Sequence, residues 1–146
     1  MHKIWVINGP NLNLIGERGP LYGEETYTSL MAKLISTASN RNVTVEHFQS
    51  NHEGEIIDLI HKAQETTDAI MINPGGYSHT SVSIRDALEY YNKIKIEVHI
   101  TNIHAREIFR QQSLMSPVVN AVIAGFGQNG YILALDHIIT MLKARK

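Results

Sequence analysis

Two hydrophobic patterns alternate along the chain. Short apolar runs rich in β-branched residues are typical of buried strands, and longer stretches with an apolar residue every three or four positions are typical of helices. The first pattern predicts strands at residues 4–7, 43–48, 69–72, 94–100 and 121–124. The second predicts helices at residues 53–65, 81–91, 105–112 and 131–142. Another helix is predicted to begin at Thr26, a suitable N-cap, with Leu30, Leu34 and Ile35 on its apolar face.

This alternation predicts a doubly wound parallel sheet, because right-handed crossovers place helices on both faces of the strands. With five strand–helix units, the expected fold is a three-layer, flavodoxin-like α/β sheet of strand order 2-1-3-4-5, formed by one domain over residues 1–146. In such folds ligands bind outside the carboxyl ends of the strands. The residues that follow each strand are therefore the candidates for function.

Composition excludes several classes of protein. The 13 basic residues are balanced by 14 acidic ones and form no cluster, which argues against a nucleic-acid-binding protein. The chain has no cysteine, which excludes disulfides, thiolate metal sites and a cysteine nucleophile. The apolar run near the N-terminus is too short for a signal peptide or a membrane span. We therefore expect a cytoplasmic protein without membrane association.

The fourth predicted strand carries two ionisable residues where a buried strand should be apolar. Glu97 and His99 alternate with Ile96 and Val98. Residues two apart point to the same face, so the carboxylate can orient the imidazole and favour its protonated form. A histidine held in this way is a candidate general acid or base, although a purely structural ion pair remains an alternative.

The long loop after the first strand contains a second candidate. Arg18 lies four residues before Tyr22 in a segment rich in glycine and proline. A cation about 4 Å from a phenolate is worth up to about 4 kcal/mol, which would make tyrosinate a feasible base. A tyrosine that only packs is the alternative. The loop is long enough for a mobile lid.

Other polar residues and motifs have simpler interpretations. Asn8, Ser50 and Asn51 are interpreted as turn formers. Residues 125–130 match the pattern G-x-G-x-x-G, but no further strand–helix unit follows, so helix–strand packing or anion contact is favoured over dinucleotide binding. His99 and His104 are predicted to lie on a strand and on the following turn, so they are not expected to share a metal, and no lysine follows a strand. We therefore expect neither a metal nor a cofactor, and no imine mechanism.

The segments at four strand ends resemble the type II 3-dehydroquinate dehydratases. The resemblance covers most of the chain, from about Lys3 to Leu142. Its motifs are NGPNLN at 8–13, GER at 16–18, FQSN at 48–51, NPGGYSHTS at 73–81, EVHITN at 97–102, ARE at 105–107 and FR at 109–110.

The resemblance implies a cofactor-free reaction in the third step of the shikimate pathway, which serves aromatic amino acid biosynthesis. Water is removed from 3-dehydroquinate by anti elimination, through an enolate, to give 3-dehydroshikimate. The resemblance also implies a homo-oligomer, a dodecamer built as a tetramer of trimers.

The resemblance assigns roles to individual residues. Tyr22 is the base that takes the C2 proton, and Arg18 stabilises its phenolate. Asn11 helps to hold the enolate, and His99, oriented by Glu97, protonates the departing hydroxyl. The implied substrate-binding residues are Asn73, His79, Arg110, the backbone of Ile100 and Thr101, the nearby Arg106, and Asp86 from a neighbouring subunit.

One departure from the family pattern lies in the lid. The family usually reads R-x-P-x-x-Y-G, whereas the segment from Arg18 to Gly23 reads RGPLYG and is one residue shorter. Both Arg18 and Tyr22 are retained. Two alternatives stay open beside the enzyme: a flavodoxin-like module that binds a nucleotide or small anion, and an inactive oligomeric scaffold.

Overall fold

The computed structural model describes residues 1–145. Its strands are β1 (His2–Asn8), β2 (Val43–Gln49), β3 (Ala69–Asn73), β4 (Ile94–His99) and β5 (Ala121–Ala124). Its α-helices are α1 (Tyr27–Ser39), α2 (Glu53–Thr66), α3 (Val82–Tyr90) and α4 (Asn129–Ala144). Each predicted strand is present.

All neighbouring strands are parallel, and their order is β2-β1-β3-β4-β5. The predicted flavodoxin-like order is confirmed. The strands bury side chains on both faces, as a parallel sheet covered by helices requires. In β1, Ile4 and Val6 belong to the apolar cluster beneath α1 and α4, whereas Trp5 and Ile7 belong to the cluster beneath α2 and α3.

Side-chain caps determine where two of the helices begin. The Thr26 hydroxyl accepts a hydrogen bond from the backbone N–H of Ser29 at 3.2 Å, which confirms the predicted N-cap of α1. The Ser81 hydroxyl accepts one from the N–H of Ile84 at 3.0 Å and caps α3. Both caps follow loops that border the carboxyl edge of the sheet, so they also anchor those loops.

Two local predictions are wrong. The segment 105–112 is not an α-helix but contains short 3₁₀ turns at Ile103–Ala105 and Ile108–Arg110. The backbone at Arg106 is extended, and the apolar residues that suggested a helix, Ile108 and Phe109, are 86% and 65% exposed. Without a buried apolar face a short helix is not stable. Ile35 is 39% exposed, because α1 packs through other residues, among them Leu30 and Leu34.

The sheet brings three strand ends together. Asn8 at the end of β1 pairs in register with Asn73 at the end of β3, and Ile72 pairs with Glu97 of β4. The residues that follow these strands therefore share one edge of the sheet. Among residues 1–145, none of the helices has the length and apolar content needed to cross a bilayer.

Candidate active site

A cavity of about 190 Å³ lies over the ends of β1, β3 and β4. It is lined by most of the residues that the sequence suggested: Asn11, Arg18, Tyr22, Asn73, His79, His99, Ile100, Thr101, Arg106 and Arg110. Two predicted residues do not line it. Glu97 lies behind His99, and Asp86 lies on an exposed position of α3. The lining also includes five residues that were not among the predicted site residues: Pro10, Leu12, Gly75, Gly76 and Ile103.

The imidazole of His99 is held by a fully buried carboxylate. Nε2 of His99 is hydrogen-bonded to Glu97, which also accepts hydrogen bonds from the hydroxyls of Ser113 at 2.6 Å and Ser116 at 2.7 Å. Burial alone would raise the pKa of Glu97, but the hydrogen bond and charge of His99 and the two serines bring that pKa below its ordinary value. Glu97 is therefore an anion that orients His99 and leaves Nδ1 available for a ligand.

Two guanidinium groups lie close to the ring of Tyr22. The central carbon of Arg18 is 3.8 Å from the centroid of the Tyr22 ring, and that of Arg106 is 5.4 Å away. Arg18 therefore lies against the face of the ring, which is a cation–π arrangement. Both guanidinium groups thus bring positive charge close to the Tyr22 side chain. The proximity of Arg18 to Tyr22 was predicted from the sequence. The second contact, from Arg106, depends on the turn that follows β4.

The segment from Gly16 to Glu25, called the lid here, is hydrogen-bonded to the N-cap residue of α4 through one amide side chain. Nε2 of Gln128 donates to the backbone carbonyls of Tyr22 at 3.0 Å and Glu25 at 2.8 Å. Gly23, between them, has a φ of +88°, and a Cβ there would lie 2.4 Å from the Gln128 side chain. The absence of a side chain at Gly23 therefore allows both the positive φ and the close approach of Gln128.

Gln128 belongs to the glycine-rich motif of residues 125–130. The predicted close packing is present in the same motif, since a Cβ at Gly130 would lie 3.3 Å from Ile123 and 3.7 Å from Val98. The contact of Gln128 with the lid was not predicted from the sequence. The only signal was its place in a loop that follows the last strand at the carboxyl edge.

The remaining polar side chains are held by neighbours rather than left free to rotate. Nδ1 of His79 lies 2.8 Å from the carbonyl of Gln112, and because a carbonyl only accepts, Nδ1 carries a hydrogen and Nε2 is left for a ligand. Nε of Arg110 donates to Glu107 at 3.1 Å, and Arg106 reaches the Thr101 hydroxyl at 3.4 Å. The cavity thus offers guanidinium groups, hydroxyls and the Nε2 atom of His79.

The interpretation of the asparagines as turn formers is partly wrong. Asn51 does support a turn, because its Oδ1 accepts the backbone N–H of Asn11 at 3.0 Å and so fixes the left-handed conformation of Asn11, with φ of 69°. Asn8, in contrast, is the last residue of β1, and its buried side chain is hydrogen-bonded to Tyr131 and Tyr27. Its partners are too distant in sequence to be inferred from the chain.

Comparison with known proteins gives the same assignment. The chain matches the model of the family "Dehydroquinase class II" over residues 2–139. The protein belongs to the class II dehydroquinases. Among the members of this family, it is 50% identical to "Catabolic 3-dehydroquinase 2" of Neosartorya fischeri, over 100% of the chain and 98% of that protein. It is 49% identical to the "3-dehydroquinate dehydratase" of Francisella philomiragia, with 97% of each chain covered.

Solved structures of class II dehydroquinases share the fold. The type II dehydroquinase from Butyrivibrio crossotus superposes with a TM-score of 0.92 at 49% identity, covering 94% of this chain and 97% of the other. The one from Propionibacterium acnes superposes with a TM-score of 0.93 at 41% identity, covering 96% and 97%.

Proposed function

We propose that this class II dehydroquinase is a 3-dehydroquinate dehydratase, which converts 3-dehydroquinate to 3-dehydroshikimate by anti elimination of water in the shikimate pathway. The observation that carries the proposal is the meeting of two groups in one cavity: a tyrosine flanked by Arg18 and Arg106, and a histidine held by a buried carboxylate. An elimination needs a base and an acid within reach of one substrate.

In the proposed mechanism the phenolate of Tyr22 removes the C2 proton, which lies next to the ketone. The electron pair of that C–H bond forms an enolate, whose oxygen is held by Asn11 through a bound water. When the ketone re-forms, the C1–C2 double bond forms and the C1–O bond breaks. His99 donates a proton to the departing hydroxyl, which leaves as water. Solvent then accepts the proton from Tyr22 and supplies one to His99.

The other residues of the cavity position the substrate in this proposal. Asn73 and His79 bind ring hydroxyls, and Arg110 binds the carboxylate region together with the backbone of Ile100 and Thr101. A planar guanidinium suits a carboxylate because it donates two parallel hydrogen bonds. Arg106 contacts both the Thr101 hydroxyl and the ring of Tyr22, so it connects this part of the cavity to the lid.

The proposal includes a cytoplasmic homo-oligomer, a dodecamer formed as a tetramer of trimers, in which Asp86 reaches the cavity of a neighbouring subunit. Two observations support assembly. Asp86 and Val82 lie one turn apart on α3, and Val82 is 60% exposed. The turn carrying Ile108 and Phe109 also exposes apolar side chains. Light scattering on the purified protein measures the number of subunits, and cell fractionation measures the location.

The test follows the conjugated enone absorbance of 3-dehydroshikimate after 3-dehydroquinate is added. We expect turnover by the wild type that survives borohydride treatment, because no imine forms. Tyr22→Phe should lower kcat by about 10²–10⁴, the usual contribution of a general base. Tyr90→Phe, which removes the same hydroxyl from an exposed position of α3, is the matched control.

Absence of product from folded wild-type protein would overturn the proposal. Flavin absorbance or nucleotide binding in the same sample would then support the binding-module alternative. If Tyr22→Phe turns over the substrate as fast as the wild type, the proposed reaction would stand, but Tyr22 would not be its base.

A further inference from the structure

Beneath the cavity, four polar side chains are joined by hydrogen bonds within the core. Nδ2 of Asn73 donates to the hydroxyl of Tyr131 at 2.9 Å, and that hydroxyl donates to Oδ1 of Asn8 at 2.7 Å. Nδ2 of Asn8 lies 3.3 Å from the hydroxyl of Tyr27. Asn8, Asn73 and Tyr131 are buried, and of these three only Asn73 lines the cavity.

The direction of each hydrogen bond is determined by its partners. Nδ2 of Asn8 faces Tyr27 and the sulfur of Met31, so Oδ1 faces Tyr131. An amide oxygen only accepts, and therefore the single hydrogen of the Tyr131 hydroxyl points to Asn8. Toward Asn73 that hydroxyl can only accept, which requires Asn73 to present its NH₂ group. Burial raises the pKa of Tyr131, so its hydroxyl keeps the hydrogen on which this order depends.

A second contact completes the orientation of Asn73. Its Oδ1 accepts the backbone N–H of Gly75 at 3.1 Å, while Nδ2 is bonded to Tyr131. One hydrogen of the NH₂ group and one lone pair of the oxygen then remain for the cavity. Rotation of the amide by 180° would place an N–H against the N–H of Gly75 and an oxygen against the Tyr131 lone pairs. The network therefore selects one of two amide orientations.

We propose that Tyr131, oriented by Asn8, is a positioning residue that fixes the donor and acceptor directions of Asn73 toward the substrate. The inference rests on the proposed function, in which Asn73 binds a ring hydroxyl. Neither Tyr131 nor Asn8 lines the cavity, so their effect falls on substrate binding rather than on the chemical step. Loss of an interaction made equally in the ground state and the transition state raises KM and leaves kcat unchanged.

The primary test is Tyr131→Phe, which removes the hydroxyl and keeps the ring. We expect KM for 3-dehydroquinate to rise about tenfold, the order of one hydrogen bond, with kcat within about twofold of the wild type. Asn8→Ala is the second variant. It leaves Tyr131 without its acceptor, frees the hydroxyl to donate to Asn73 and should raise KM in the same direction.

The matched control is Tyr91→Phe. Tyr91 is another fully buried tyrosine, and its hydroxyl lies 3.0 Å from the Thr67 hydroxyl in the opposite layer of the core. Its loss removes one buried hydrogen bond without touching Asn73. We expect a fall in melting temperature of the same order as for Tyr131→Phe, with KM and kcat unchanged. An equal rise in KM for both variants would indicate general loosening and overturn the proposal.

A double-variant cycle separates positioning from direct binding. In an Asn73→Ala background, Tyr131→Phe should change KM by less than about twofold, because the residue through which it acts is gone. A full tenfold rise in that background, or an unchanged KM in the single variant, would overturn the proposal.

A crystal structure of Tyr131→Phe provides a readout that does not depend on turnover. We expect the Asn73 side chain to leave its wild-type position, and an unmoved Asn73 that keeps its Gly75 contact would contradict the inference. Inactive wild-type protein would overturn the proposed function alone, since the position of Asn73 is read from the crystal in either case.

Discussion

The two reactive groups of the cavity are built into the protein in different ways. His99 and its partner Glu97 lie on the inner strand β4, and Glu97 is surrounded by two serine hydroxyls and the imidazole. Tyr22 lies on the lid, partly exposed, and its backbone is held by one amide side chain, Gln128. The histidine is thus fixed within the core, whereas the tyrosine packs at the edge of the core and is held by side chains around the lid.

This difference follows from what each group has to do. An ionised carboxylate in the core is tolerated only where hydrogen bonds compensate its desolvation, and a central strand can hold such partners rigidly. The tyrosine must lie where substrate enters, so its segment cannot be covered by the core. A change in the length of the lid between Arg18 and Gly23 is therefore not expected to alter the contacts of His99 and Glu97.

The largest effect is expected from His99→Ala. Loss of a general acid lowers kcat by about 10²–10⁴. Steady-state kinetics measures this effect, and His104→Ala, which removes an exposed imidazole five residues further along, is the control and should stay near wild-type activity. If His99→Ala lowers kcat by less than about tenfold, a role for His99 in protonating the leaving group would be contradicted.

Glu97→Gln should lower both activity and stability. The neutral amide removes an acceptor from at least one of three donors, at a cost of about 1–3 kcal/mol in unfolding free energy. Because folding lowers the pKa of Glu97 from its ordinary 4.5, its stabilisation is complete above that value and is lost as the pH falls through the lower folded-state pKa.

Urea denaturation of the wild type and Glu97→Gln at pH 7 and at pH 4 measures this dependence. The difference in unfolding free energy between the two proteins should become smaller at the lower pH, because only the wild type has an ionisable group at position 97. A gap that is equal at both pH values would show that the carboxylate charge does not contribute.

Gly23→Ala should disturb the lid more than Gly19→Ala. Both glycines have φ near +90°, a conformation that costs other residues about 1–3 kcal/mol. A Cβ at Gly23 would also meet Gln128, whereas among the described residues no atom lies within 4 Å of a Cβ at Gly19. We expect kcat to fall about 10- to 100-fold in Gly23→Ala through misplacement of Tyr22, and less in Gly19→Ala. Equal kcat values would exclude the Gln128 contact as the cause.

The smallest effect is expected from Gln128→Ala. Loss of two hydrogen bonds to the lid carbonyls should lower kcat about three- to tenfold, with little change in melting temperature. Gln64→Ala, which removes an amide bonded to Asn92 on the far side of the molecule, is the control. Combined with Gly23→Ala, Gln128→Ala should relieve the steric conflict between the added Cβ and the glutamine side chain. A double variant whose loss of kcat equals the product of the two single losses would contradict this conflict.

The sequence predicted those features that depend on local pattern. Alternation within the fourth strand placed Glu97 and His99 on one face, and the strand–helix alternation predicted the sheet order. The false helix at 105–112 shows the limit, because its apolar residues, Ile108 and Phe109, lie at the surface, and sequence periodicity does not show which face is covered. The bond between Asn8 and Tyr131 joins residues 123 positions apart, beyond the reach of any local pattern.

The first turn of α4 contacts both the lid and the core network. Gln128 at its N-cap is bonded to the carbonyl of Tyr22, and Tyr131, one turn later, is bonded to Asn73. A displacement of this turn would therefore move the lid and the Asn73 side chain together, so substrate binding and the position of the base both depend on one turn of helix.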